Sequence, residues 1–144
     1  MVSRRAGKII VLGGGGTMKA RPNFAAYASS KAAIVRFVET LAEEVREHNI
    51  QVNVLGPGPT YSHMTDEVLR AGDNAGWRDA EEALQTRLTG GTPPSKQIEL
   101  AYFLASERSN HVNGRLIHVR DPWRRLENAD VEPELYTLRR VRRV

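Results

Sequence analysis

No cysteine occurs in the 144 residues, which excludes disulfides and thiolate metal sites and leaves the redox compartment open. Also missing is an apolar run long enough to cross a bilayer. Behind Met1-Val2-Ser3-Arg4-Arg5 the run from Ile9 to Leu12 is far too short for a signal core. A cytoplasmic protein is the default expectation. Aromatic residues make up only 6% of the chain, and no two of the four histidines stand at a metal-ligand spacing. No internal repeat is visible.

What is present describes an ordinary globular chain, 40% hydrophobic and 26% charged, with the length of one domain. The net charge is +4, and much of it lies in Leu138-Arg139-Arg140-Val141-Arg142-Arg143-Val144. Such a basic run reads more readily as a frayed, solvated tail than as a nucleic-acid contact.

Lys8 to Leu12 is short, apolar and β-branched, the pattern of a strand buried on both faces of a parallel sheet. Gly13-Gly14-Gly15-Gly16 ends it, and Pro22 delays the next helix. Helix is expected from about Tyr27 to Glu47. Its apolar band (Ala32, Ile34, Val35, Phe37, Val38, Leu41, Ala42, Val45) is wider than one face needs, which predicts a sheet on one side and another helix on the other. His48-Asn49 is a plausible stop. Ile50 to Leu55 follows as a second strand, closed by Gly56-Pro57-Gly58-Pro59, so strand, helix and strand form a right-handed parallel βαβ unit. Short helices are expected over Met64–Arg70 and Ala80–Leu88, with Trp77 between them as a packing anchor. A helix from Gln97 to Ala105 with Ser95 as N-cap and a last strand from Arg115 to Val119 complete the pattern. Trp123 to Val144, polar and charged, is expected to lie outside the core as an appendage to a domain over residues 1–122.

Chemistry concentrates at Tyr27-Ala28-Ser29-Ser30-Lys31. Residues four apart on a helix lie on one face, one turn above the other. An ammonium there favours phenolate over phenol, and a phenol tuned in this way exchanges protons with a substrate oxygen. The glycine run does not satisfy Gly-x-Gly-x-x-Gly, because Met18 stands where the third glycine belongs. Neither a helix directly after it nor an acidic residue at the end of the second strand supports dinucleotide binding there, and no Gly-Lys-Ser/Thr follows for a triphosphate. Of the four histidines only His63 stands in the irregular stretch that follows the second strand.

Pro22, Tyr27-Ala28-Ser29-Ser30-Lys31-Ala32, Asn53-Val54-Leu55-Gly56-Pro57-Gly58 and Asn113-Gly114-Arg115-Leu116-Ile117-His118-Val119, in that order and at those separations, resemble the C-terminal half of a classical short-chain dehydrogenase/reductase. The resemblance runs from about Gly7 to Asp121. It implies an α/β, partial Rossmann-like (doubly wound) fold with parallel strands and crossover helices. It also implies an oxidoreductase moving hydride between NAD or NADP and a small alcohol or carbonyl substrate.

By the same resemblance Tyr27 is the general acid/base, and Lys31 acts on both the phenol and the nicotinamide ribose. Pro57 and Gly58 lie against the nicotinamide, with Thr60 and Ser62 at the carboxamide and phosphates, and residues from Tyr61 to Leu88 form the substrate loop. The resemblance further implies a homo-oligomer pairing through the 27–47 helix. The family's catalytic serine falls on Gly14, and Thr17 is the nearest hydroxyl to stand in for it, though not at the family's position. The strands carrying the family's cofactor fingerprint lie outside this sequence. The chain is therefore expected to be impaired alone, its partner being a second copy paired through the 27–47 helix or a complementing N-terminal half. The other reading is a non-catalytic interaction module that keeps the helix-pairing surface.

Overall fold

The computed structural model describes residues 1–129, 131–132 and 134–138. Arg139, Arg140, Arg142 and Arg143 of the basic tail fall outside them. Among the described residues, no helix is long and apolar enough to cross a membrane.

Three parallel strands form one sheet in the order β1 (Gly7–Leu12), β2 (Ile50–Gly56), β3 (Leu116–His118). β1 runs in register with β2 from Gly7↔Ile50 to Leu12↔Leu55, and β2 with β3 from Val54↔Leu116 to Gly56↔His118. β2 is buried at every residue, as a central strand must be, whereas β1 is only half-buried because no strand pairs with its outer edge among the described residues.

Alternation along the strands sends side chains to two cores. Ile50, Val52 and Val54, with Ile9 and Val11, meet Val35, Val38 and Ala42 of α1 (Ala25–Glu44). Leu55, Ile10 and Ile117 point the other way, into Leu100, Phe103 and Leu104 of α4 (Pro94–Ala105). The result is helix, sheet, helix in three layers, the arrangement that parallel strands require to bury both faces. The sheet side of the wide α1 band is therefore filled. The opposite side is open, with Phe37 60% exposed.

α1 begins two residues earlier than the sequence pattern suggests, and the chain leaves it through a short 3-10 turn (Arg46–His48) ending at Asn49 in the left-handed region. α4 also starts earlier than expected. Pro93 is its N-cap and Pro94 its first residue, so Ser95 lies inside the first turn, because a proline's fixed φ suits the first helical position. Between β2 and α4, α2 (His63–Ala71) and α3 (Trp77–Thr89) pack together over a small cluster of Val68, Ala75 and Ala83. Trp77 does not anchor this pair. It opens α3 on the outward side, 74% exposed, with Arg78 Cζ 5.2 Å from its ring centroid.

Several described residues after Pro122 pack into the core. Trp123 and Leu126 are buried in the α4 cluster, and Trp123 stacks on Phe103 with centroids 5.3 Å apart. Leu116 N–H donates to Tyr136 O (2.8 Å), and Leu138 N–H donates to the buried Glu39 carboxylate (2.7 Å), which also pairs with Arg36 (2.5 Å). A net polar composition hid these few apolar side chains, which pack because α4, α1 and the sheet offer them apolar surface.

Two asparagines of the recognised motifs are structural. Asn53, 1% exposed on β2, donates to Val112 O (2.8 Å) and accepts from Arg115 N–H (3.0 Å). Asn113 accepts from Val52 N–H (2.8 Å) and donates to Ala42 O (3.1 Å). Together they fasten the loop before β3 to β2 and α1. Asn53→Ala strands a buried carbonyl and a part-buried N–H, and the expected loss is about 2–4 kcal/mol by urea unfolding. A loss under about 1 kcal/mol would refute this structural role, since each stranded group alone should cost that much.

Candidate functional site

All three strands run the same way, so β1, β2 and β3 deliver their C-terminal ends to one edge of the sheet. In open α/β sheets that edge is where ligands bind. The glycine loop after Leu12, the Pro-Gly loop after Gly56 and the turn after His118 all leave from it.

Tyr27 and Lys31 project from the first turns of α1, with Lys31 Nζ 5.8 Å from the Tyr27 ring centroid. The two converge on the glycine loop. A Cβ built on Gly14 would stand 2.5 Å from Tyr27 Oη and 3.1 Å from both Cδ and Cε of Lys31. Position 14 is thus the backbone floor under the phenol, and only a residue without a side chain leaves the hydroxyl where it is. Thr17, buried beside the loop, donates its hydroxyl to Gly14 O (2.7 Å). That bond shapes the glycine turn and turns the hydroxyl proton toward the loop's own backbone.

Across the edge, Gly58 has φ +72°, and a Cβ there would meet Thr92 Oγ1 at 2.4 Å. Gln97 of α4 holds this turn: its Nε2 donates to Pro57 O (3.0 Å) and to Thr60 Oγ1 (2.8 Å), while Thr60 donates weakly to Gly58 O (3.3 Å). Ser62 is the N-cap of α2, and its N–H donates to Thr65 Oγ1 (3.1 Å). His63 begins α2 on the surface, with Nε2 3.5 Å from Glu67 and its side chain 82% exposed.

His118, at the end of β3, accepts from Arg120 N–H at Nδ1 (3.1 Å), and its own N–H donates to Asp121 (2.7 Å). Burial holds its imidazole below the usual histidine range, against the opposing pull of Asp121, and Arg120 adds to the lowering. Because the folded value is depressed, the unfolded chain binds more protons as pH falls through about 6.5. Stability from this group is therefore present above that pH and lost below it. His118→Asn, which keeps an acceptor for Arg120, should reduce the loss of stability between neutral and mildly acidic pH in urea titrations. An unchanged pH slope would mean that other groups carry the acid sensitivity.

Arg21, Asp79 and Gln97 were not legible in the sequence. Arg21 in the loop before α1 bonds Asp79 of α3 through Nε (2.6 Å) and Nη2 (2.5 Å), and its guanidinium lies over Phe24 (4.0 Å) and Tyr27 (5.5 Å). The partners are separated by 58 residues in one case and by 37 and 40 in the other, so no local pattern signals them.

The family model for short chain dehydrogenase matches residues 1–72. The chain belongs to that family. It is 35% identical over 117 residues to 2,3-dihydro-2,3-dihydroxybenzoate dehydrogenase of Bacillus subtilis, an alignment covering 78% of this chain and 44% of that protein. With 5-keto-D-gluconate 5-reductase of Escherichia coli K12 it shares 33% over 125 residues, 83% of this chain and 45% of the relative. A solved gluconate 5-dehydrogenase from Burkholderia cenocepacia J2315, in complex with NADP and tartrate, superposes with a TM-score of 0.64 at 27% identity, covering 81% of this chain and 44% of that one. The chain spans less than half the length of each of these relatives. The α/β sheet with parallel strands is the fold of these neighbours.

The phenol of Tyr27, the ammonium of Lys31 and the hydroxyls of Thr60 and Ser62 are donors of the kinds that a nicotinamide ribose and carboxamide accept, and the Gly58 turn keeps a side chain out of the way. The adenosine end is not matched among the described residues. Gly13–Gly16 lead into turns, and α1 begins only at Ala25, so no helix N-terminus follows the glycines directly to meet a pyrophosphate.

Proposed function

We propose that this chain is the acid–base and nicotinamide-facing part of an oxidoreductase acting on a small alcohol or carbonyl compound. The observation that carries the reading is the convergence of Tyr27 Oη, Lys31 and the bare backbone of Gly14 at the C-terminal edge of the sheet. Support also comes from the NADP recorded with the gluconate 5-dehydrogenase neighbour.

NAD or NADP bound here would exchange hydride with a carbonyl or carbinol carbon. Tyr27 Oη gives a proton to the carbonyl oxygen on reduction and takes one from the hydroxyl on oxidation. Lys31 keeps a positive charge beside the phenol and offers its ammonium to the ribose hydroxyls. Pro57 and Gly58, held by Gln97, would form the wall against a bound nicotinamide, with Thr60 and Ser62 available to its carboxamide and phosphates. α2 and α3 cover the substrate and limit water. The described residues offer the nicotinamide side alone, and the adenosine side must come from further polypeptide, so this chain alone binds cofactor no better than about millimolar, the range left when few contacts oppose the entropy of association. Calorimetry giving micromolar NADPH binding to the isolated chain would overturn that requirement.

The outward face of α1 supports a second reading at the level of assembly. Ala26, Ser30, Ala33 and Phe37 are all exposed along one side of the helix, at three- and four-residue steps. Small residues beside one ring let a second copy of the helix approach closely, and pairing of two copies needs no catalysis. Phe37→Glu is expected to shift the chain to monomer in sedimentation velocity. A wild-type chain that already sediments as monomer removes this face from the assembly.

A further inference from the structure

Arg21 has a donor left over. Its Nε and Nη2 are spent on Asp79, while no described residue accepts from Nη1. That nitrogen lies against the glycine loop, 3.3 Å from where a Gly15 Cβ would stand. The absence of side chains at Gly14 and Gly15 is what leaves space around it and around the Tyr27 hydroxyl. The guanidinium lies near two aromatic rings, 4.0 Å from the Phe24 centroid and 5.5 Å from that of Tyr27, and its side chain is only 20% exposed. Asp79 fixes the plane from α3, so the charge is preorganised rather than floppy.

A fixed, partly desolvated guanidinium with free N–H donors is a carboxylate site, because charge-assisted bonds to a planar anion are about twice as strong as neutral ones. Asp79 occupies one edge of the fork and also opposes a second negative charge, so the site takes a single carboxylate at the open edge. We propose that Arg21 Nη1 binds the carboxylate of the substrate, making this a site for small hydroxy- and keto-acids rather than neutral alcohols. The proposal rests on the reading above that the reacting oxygen sits at Tyr27. It adds that the anionic end lies toward Gly15 and Phe24.

The test uses D-gluconate and its uncharged counterpart D-glucitol, titrated into the 15N-labelled full chain with Arg21 Nε–Hε and the Tyr27 amide as reporters. Gluconate is expected to shift both signals saturably, more weakly at high salt, and glucitol to leave them in place. Arg21→Met should weaken gluconate by about tenfold or more, the effect of losing one charged hydrogen bond, with Arg21→Lys between the two. Should Arg21→Met unseat α3, Asp79→Asn keeps the guanidinium and removes only the opposing charge, and gluconate binding should tighten. Equal shifts from gluconate and glucitol, no saturable shift from either, or gluconate binding indifferent to all three substitutions would overturn the proposal. Because this readout involves no turnover, its failure is distinguishable from failure of the enzymatic reading: gluconate held at Arg21 together with an active Tyr27→Phe enzyme would sink the enzymatic reading and leave only the anion site.

Discussion

Tyr27→Phe is expected to lower turnover by about a hundredfold to ten-thousandfold, the contribution of a positioned proton donor, with little change in the urea midpoint. The phenol is half-buried and no hydrogen bond from its hydroxyl holds the fold among the described residues, so its removal costs chemistry and almost no packing. The measurement is steady-state reduction of small ketones, keto-acids included, by the chain in complex with a polypeptide that supplies the cofactor turn. No other phenol shares a helix face with a lysine one turn away, so nothing in the chain replaces it. Lys31→Ala should lower both the rate and the apparent cofactor affinity, since one charge serves the phenol and the ribose. A Tyr27→Phe enzyme that keeps its rate removes Tyr27 from the chemistry.

Gly14→Ser carries the second large expectation, in the opposite direction. A hydroxyl at position 14 would stand beside the Tyr27 phenol and give the reacting oxygen a second preorganised donor, worth on the order of a hundredfold in rate. The new Cβ must first displace Tyr27 Oη from 2.5 Å and press on Lys31 at 3.1 Å. The closest atom is the far end of the Tyr27 side chain and the other two belong to a flexible lysine stem, so the shift is cheap and stability should barely move. Gly14→Ala separates the two effects: it makes the same displacement without the donor, and its rate should not exceed that of the parent. If alanine and serine raise or lower the rate equally, the displaced phenol and not the hydroxyl decides the outcome.

Local pattern determined a good deal by itself. β-branched runs bounded by glycine marked β1 and β2, and helical periodicity marked α1, because backbone propensity and burial act over one or two turns of chain. The Tyr27–Lys31 pair was legible for the same reason: its geometry is that of a single helix face. The chain's place in the short chain dehydrogenase family followed from several such local pieces in order. What lay beyond sequence was everything made by contact across distance. Trp123 and Leu126 look like part of a charged tail until α4 offers them Phe103 and its neighbours, and Trp77 looks like core until α3 turns it outward. Gly14 reads as one glycine among four, and only the folded loop puts it under the phenol. Arg21 shows why most sharply. Its meaning lies in Asp79, Phe24, Tyr27 and Gly15 meeting around one guanidinium, and tertiary packing alone decides which nitrogen is left free.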